Sequence, residues 1–493
     1  MRRVWARELL GWCTALGMSI AVAAQVAASA RSELLFRDGD SLIVAMLTRS
    51  ILSGEPLDWA MSSVLFLPES AVFAGLSLLA SGDLNTLLAI NAVVNLLAVY
   101  GAIRLVAGPH RAGASPVGWS LIALSLFGVV AVTETSASRD ALELASLQLT
   151  TTYYSSTVVA VMIVVGLLRR AVDGAGRWPF VAVGAVTIIA TLSNPLFGAW
   201  ATAPLTVLLA VGAMRGRYRR RMPVAIAVLV GGTLLGLLAR IPFTAWIANT
   251  GAGYAQPELW RESIGYYGGL LAERLSTPLG ILGALVVVVL LALSVLRTVR
   301  AATDGERLVA SAGWMLPLIV VIGAIALGTH AARYLQPVVF APLLAVVASP
   351  RTVRMPRPLG AIAAALIIVA GALSVPRLEA AAHRPDPDLT CVTDWVTASG
   401  RTGAGQFWTV RLPKTHLDDP AQLVQVDHRL NGYAWLVNRS DLDAQAVSFL
   451  LQDSQSVQWQ LPESAIPEQV VSCGRYTILD FGSRTLPVGP AHS

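Results

Sequence analysis

Of the 493 residues, 55% are hydrophobic and only 13% are charged, too few charges to cover the surface of a soluble protein of this length. The chain is therefore expected to be a polytopic membrane protein. Its net charge of +6 sits in arginine clusters between apolar runs, where the positive-inside rule accounts for it, so no nucleic-acid partner is implied.

The first apolar run, 9–30, ends in an A-x-A-like sequence that fits a signal peptide, but it is long enough to cross a bilayer and is expected to serve as an uncleaved signal anchor. A loop of some 55 residues follows. It opens with "LLFRDGDSLIVAMLTRSILSGEPLDW", in which Ser41 is the candidate N-cap of a short helix. The next apolar stretch, 61–81, carries Pro68 and Glu69, both costly in hydrocarbon, and is expected to lie in the interface without crossing. Predicted spans then run over 85–107, 118–134, 155–171, 179–193, 197–214, 223–240, 278–296, 309–328, 334–349 and 359–375, eleven with the first. Asn194-Pro195 between two of them is expected to be a tight turn. After Pro376 the composition becomes that of a soluble domain, so the boundary is drawn between 1–376 and 377–493.

The arginines fix the expected orientation. Arg2, Arg3 and Arg7; His110 and Arg111; Arg169, Arg170 and Arg177; Arg215, Arg217, Arg219, Arg220 and Arg221; Arg297, Arg300 and Arg307; and Arg351, Arg354 and Arg357 all fall on one side only if 61–81 does not cross. The fold class expected is thus a polytopic α-helical protein of the plasma membrane with about eleven transmembrane helices. It has a cytoplasmic N-terminus, a long first extracytoplasmic loop and a small C-terminal extracytoplasmic α/β or mixed domain. Cys391 and Cys473 would share an oxidising side and fit a disulfide, two buried thiols being the alternative. Asn438-Arg439-Ser440 matches a glycosylation sequon, a pattern short enough to arise by chance.

The unusual polar groups gather in the outer loops. Asp38, Asp40, Asp58 and Glu69 lie in the first; Glu134, Arg139, Asp140 and Glu143 in the second; Arg261 and several tyrosines precede the span at 278; His330, Arg333 and Tyr334 precede the span at 334. Carboxylates near a low-dielectric boundary can take a proton from a hydroxyl, and arginines hold phosphate oxygens in a fork. Solvated loop charges and interface anchors are the plain alternative for any one of them.

The order of these features resembles the GT-C superfamily of membrane glycosyltransferases, of the protein mannosyltransferase and aminoarabinose transferase type. The resemblance rests on "RDGDSLIVAMLTRSILSG" after the first span, the Pro-containing stretch 61–81, "SRDALE" in the next outer loop, and "HAARYLQP" near the last spans. It covers 1 to about 375, loosely. The family's first motif often has two adjacent acids, whereas Gly39 separates Asp38 from Asp40 here, which leaves open which of them acts.

What the resemblance implies is sugar transfer from a polyprenyl-phosphate donor to a glycan, lipid or protein acceptor on the outer face, by a single inverting displacement. Asp40 or Asp38 would deprotonate or orient the acceptor hydroxyl, and Asp140 would orient the acceptor or bind a divalent ion with the first acid. Arg333 and His330, with Arg261 or Arg139, would bind the donor phosphate. Glu143, Tyr334 and Glu69 would be acceptor-side or accessory groups. No cofactor is certain; a divalent metal ion is compatible, with its ligands unknown. The rival readings are a transporter or flippase for a lipid-linked glycan and a non-catalytic membrane protein whose tail binds a partner. Charges at span ends rather than deep inside spans favour surface chemistry.

Overall fold

The computed structural model describes residues 2–80, 82–110, 113–214, 221–352 and 357–493. Ser81 and the cluster arginines Arg111, Arg215, Arg217, Arg219, Arg220 and Arg354 lie outside these residues. Seven helices among the described residues are long and apolar enough to cross a membrane: Val4–Ala27, Leu84–Val106, Ser155–Val172, Met222–Phe243, Pro278–Arg300, Asp304–Ala326 and Pro358–Ala382. Four other predicted spans fall on shorter apolar helical segments, Pro116–Val132, Trp178–Ser193, Gly198–Met214 and Ala332–Ala348. Proline and caps set several starts: Pro116, Pro179 and Pro278 stand in first turns, where a missing N–H costs nothing, and Thr277 and Thr303 accept from the N–H of Gly280 and Glu306.

The chain divides into two compact units. One comprises Met1–Leu35, Asn85–Ile241 and Ala252–Ala382; the other comprises Phe36–Leu84, Pro242–Gly251 and His383–Ser493. The first loop thus belongs to the same unit as the C-terminal segment.

In the helical unit, small residues let backbones approach. A Cβ on Gly371 would come within 2.4 Å of the Gly17 Cα, so the first and last long helices touch where both lack side chains. Gly236 faces Thr191 in the same way, 2.7 Å from a Cβ placed there, and brings Met222–Leu238 against Trp178–Ser193. The Asn194 Oδ1 accepts from the Leu196 N–H at 3.0 Å, the local bond of an Asn-initiated turn.

The second unit is built on a five-stranded sheet in the order Leu423–Gln425, Gly403–Gly405, Phe449–Gln452, Tyr476–Asp480, Gln469–Cys473. The first three are mutually parallel and the last two antiparallel. Helix Phe407–His416 supplies the crossover between Gly403–Gly405 and Leu423–Gln425, as a parallel pair requires. Helix Pro387–Ser399 is tied to the edge strand by the disulfide Cys391–Cys473, with Cα atoms 5.5 Å apart. Around it pack Val392, Val396, Phe449, Tyr476 and Ile478.

The first loop is stitched into this unit. Trp59–Ala60 pairs antiparallel with Val437–Asn438, Arg37 reaches Asp386 at 3.1 Å, and Arg439 reaches Asp58 at 2.7 Å. The Asn438 amide is buried and donates to Ser50 Oγ and to the Pro56 carbonyl, so the sequon asparagine is a structural tie. Helix Leu67–Leu79 has 13 residues, about 20 Å at 1.5 Å each, against about 30 Å of hydrocarbon. One local expectation is corrected: Ser41 does not cap helix Ile43–Ser53. The N-cap is Leu42, and the Ser41 N–H donates to Asp38 Oδ2 at 3.2 Å.

Candidate functional site

The loop 327–336 of the helical unit is held in shape by its neighbours. Gly328 takes a left-handed φ of 61° and passes the chain at Gln256, whose carbonyl oxygen would lie 1.9 Å from an added Cβ, so only glycine fits. Ser263 and Tyr267 of helix Trp260–Leu275 bond the carbonyl and the hydroxyl of Thr329, each at 2.7 Å. The buried Gln336 amide donates to the Tyr153 carbonyl at 2.8 Å.

These ties present Arg333 in an aromatic setting. Its Nε donates to the Tyr154 hydroxyl at 3.3 Å, and its Nη1 lies 4.0 Å from Asp140 Oδ1. The Tyr334 ring lies 5.9 Å from the guanidinium carbon and stacks on Tyr154 with centroids 6.4 Å apart. Trp200 meets Tyr154 edge-on and donates to the Tyr334 carbonyl. Tyr154 itself sits at φ 65°, a left-handed conformation that a bulky residue adopts only where its surroundings hold it. The exposed His330 ring packs against Tyr266 at 5.3 Å. Burial, then the charge of Asp140, raises the Tyr266 phenol above its ordinary value, so it is a hydrogen-bonding hydroxyl at neutral pH. Asp140, Arg333, His330 and Tyr334 are therefore brought together.

Other candidates are placed differently. Arg261 is exposed and lies over the neighbouring Trp260 ring. Arg139 is half-buried in the loop beside Asp140, and Glu69 is buried in the first turn of Leu67–Leu79. Glu143 is buried and engaged: Oε2 accepts from the Ser136 N–H and Oε1 from Arg274, each at 2.7 Å. Arg31 bonds the Ser146 hydroxyl and the carbonyls of Ser136, Ser138 and Glu143, while Glu134 accepts from the N–H groups of Ala145 and Ser146. These four buried charges clamp the loop that carries Asp140. Nothing in the sequence marked Arg31 and Arg274 as their partners.

Asp38 and Asp40 lie in the other unit, where Gly39 packs on helix Phe407–His416. A Cβ at Gly39 would lie 3.3 Å from both the Arg411 Cγ and the Trp408 ring. Arg411 has no exposed surface and bonds the Leu436 carbonyl and Gln425, and among the described residues its Nε and Nη2 have no hydrogen-bond partner. Burial lowers its pKa to about 10, against the opposing charges of Asp40, Asp441 and Asp38. The motif acids thus have a buried cationic neighbour from a helix some 370 residues away in sequence, which no local signal announced.

Among the described residues no three His, Cys, Asp or Glu side chains gather as metal ligands. Compared with known proteins, the chain matches no protein-family model and no curated protein sequence.

Proposed function

We propose that the chain is a membrane glycosyltransferase of the GT-C type, which transfers a sugar from a polyprenyl-phosphate donor to a cell-envelope acceptor. The observation that carries this reading is the Arg333 cluster: a guanidinium beside the Tyr154 hydroxyl and the Asp140 carboxylate, in a loop that also carries an exposed imidazole packed on Tyr266. Such a setting suits a phosphate oxygen, which a guanidinium holds in a fork while aromatic faces line a sugar or prenyl group. In the displacement, the acceptor oxygen bonds the anomeric carbon as the bond from that carbon to the phosphate oxygen breaks. The electron pair leaves on the phosphate, where Arg333 and His330 offset the added charge.

Asp140, more than half exposed and 4.0 Å from Arg333, is the carboxylate this cluster offers to orient the acceptor hydroxyl. Asp40 or Asp38 keeps the role that the motif resemblance implies, and Arg139 or Arg261 that of a second phosphate clamp. Tyr334 lines the cluster, Glu143 helps clamp the loop that carries Asp140, and Glu69 keeps the accessory role that the motif resemblance implies. The topology proposed is eleven crossings of the plasma membrane, with a cytoplasmic N-terminus and the second unit outside.

Asp140→Asn, Asp40→Asn and Asp38→Asn chains, inserted in membranes, would be given radiolabelled polyprenyl-phosphate sugars. Loss of transfer on removal of one aspartate, at unchanged protein level, is expected; wild-type transfer by all three would overturn the assignment.

A further inference from the structure

At the opposite ends of the helices that lead to the Arg333 cluster lies a second built site. Helix Asp304–Ala326 has 23 residues, about 34 Å of rise, so groups in its first turn are remote from the loop that follows its last. There a cavity of about 260 Å³ is lined by Trp119, Leu293, Leu296, Arg297, Arg300, Glu306 and Arg351, among others. Among the described residues the lining holds three arginines and one carboxylate, and that carboxylate is engaged: Glu306 Oε2 accepts from the Ala302 N–H at 3.1 Å, and the Glu306 N–H donates to Thr303 Oγ1.

The arginines are arranged, not scattered. Arg297 is anchored through Nη1 to the carbonyls of Val346 and Ser349 and lies 5.3 Å over the Trp119 ring. Trp119 in turn donates its indole N–H to the Arg351 carbonyl at 2.7 Å, fixing that residue's backbone at the rim. Arg300 and Arg351 keep exposed side chains. Leu293 and Leu296 line the same cavity, and Leu296 is exposed on the lipid-length helix Pro278–Arg300. The volume is below the roughly 300–1,000 Å³ of a drug-sized pocket, room for a headgroup but not for a whole lipid.

From this geometry we infer a binding site for the phosphate headgroup of an anionic membrane lipid, in the leaflet opposite the Arg333 cluster. Arg300 and Arg351 take the phosphate oxygens, Arg297 and Trp119 form the floor, and the leucines direct the acyl chains along the helix surface. Free phosphate shares the headgroup's chemistry, but it makes no use of an apolar wall opening at the end of a membrane-length helix.

Purified full-length chain in neutral detergent would be analysed by native mass spectrometry with phosphatidylglycerol, phosphatidylcholine or inorganic phosphate, for wild type, Arg300→Gln, Arg351→Gln and the double variant. Arg177→Gln, an exposed arginine elsewhere, serves as control. Phosphatidylglycerol adducts should exceed phosphatidylcholine adducts on wild type and the control, and fall about tenfold in the double variant. Both changed side chains are exposed, and the wild-type lipid preference is read without any variant. Equal retention of the two lipids, undiminished binding by the double variant, or inorganic phosphate binding as well as the lipid would each overturn the inference.

Discussion

Glu143 and Asp140 stand three residues apart in one motif, yet the structure gives them unlike work. Glu143 is buried between Arg31 and Arg274, whereas the Asp140 side chain is 51% exposed. Removing one member of a buried charge set leaves its partners uncompensated, typically costing about 3–5 kcal/mol. Glu143→Gln should therefore lower thermal stability sharply in detergent, while Asp140→Asn should stay within about 0.5 kcal/mol of wild type; equal melting temperatures for the two would contradict this division. Sequence alone placed both acids in one loop between apolar helices but could not rank them. What separates them is contact with Arg31 and Arg274, more than a hundred residues away on either side. The same holds for Arg411, whose place beside Asp38 and Asp40 depends on a crossover helix that no local pattern connects to the first loop.

Helices were the most legible elements, because an apolar run of membrane length reads as a helix whatever its neighbours. The Ala332–Ala348 segment departs from a single regular helix. It alternates 3-10 and α turns, Ala332–Leu335, Pro337–Phe340, Ala341–Leu343 and Leu344–Ala348, since Pro337 and Pro342 each remove a backbone donor. Hydropathy does not register that difference. The sheet order in the second unit was also out of reach, since strands of three to five residues carry too little periodicity to pair from sequence. The cysteine pair was readable, and the disulfide closes a separation of 82 residues. Its loss in a Cys391→Ser, Cys473→Ser double variant is expected to destabilise the second unit by about 2–5 kcal/mol, read from the urea midpoint of tryptophan fluorescence. An unchanged midpoint would show that the core around Phe449 holds without it.

At the scale of the whole molecule, the division of the chain is not the division of the sequence. Hydropathy draws one line near residue 376, but a compact unit also gathers 36–84, which hydropathy leaves with the membrane part. Ion pairs hold much of that unit, and they make it acid-sensitive. The Arg401 fork, at 2.8 and 2.9 Å, keeps Asp480 below the usual carboxylate range against the opposing effect of burial. Burial would raise Asp386, but bonds from Arg475 and the Leu389 N–H, with the charge of Arg37, outweigh it and hold it low. Folded values below the unfolded one, about 3.9, mean stability that is complete above that pH and lost as pH falls through the folded values. The urea midpoint should hold from about pH 7 to about pH 5 and fall below about pH 4, less so in Asp480→Asn; a flat profile would contradict the pairing. The proposed hold of the Arg333 cluster on a donor phosphate is measured by the affinity of purified chain for a polyprenyl-phosphate sugar. Loss of a charge-assisted hydrogen bond of about 1.5–3 kcal/mol predicts binding weaker by roughly 10- to 100-fold in Arg333→Gln. Equal affinity of the two chains would contradict it.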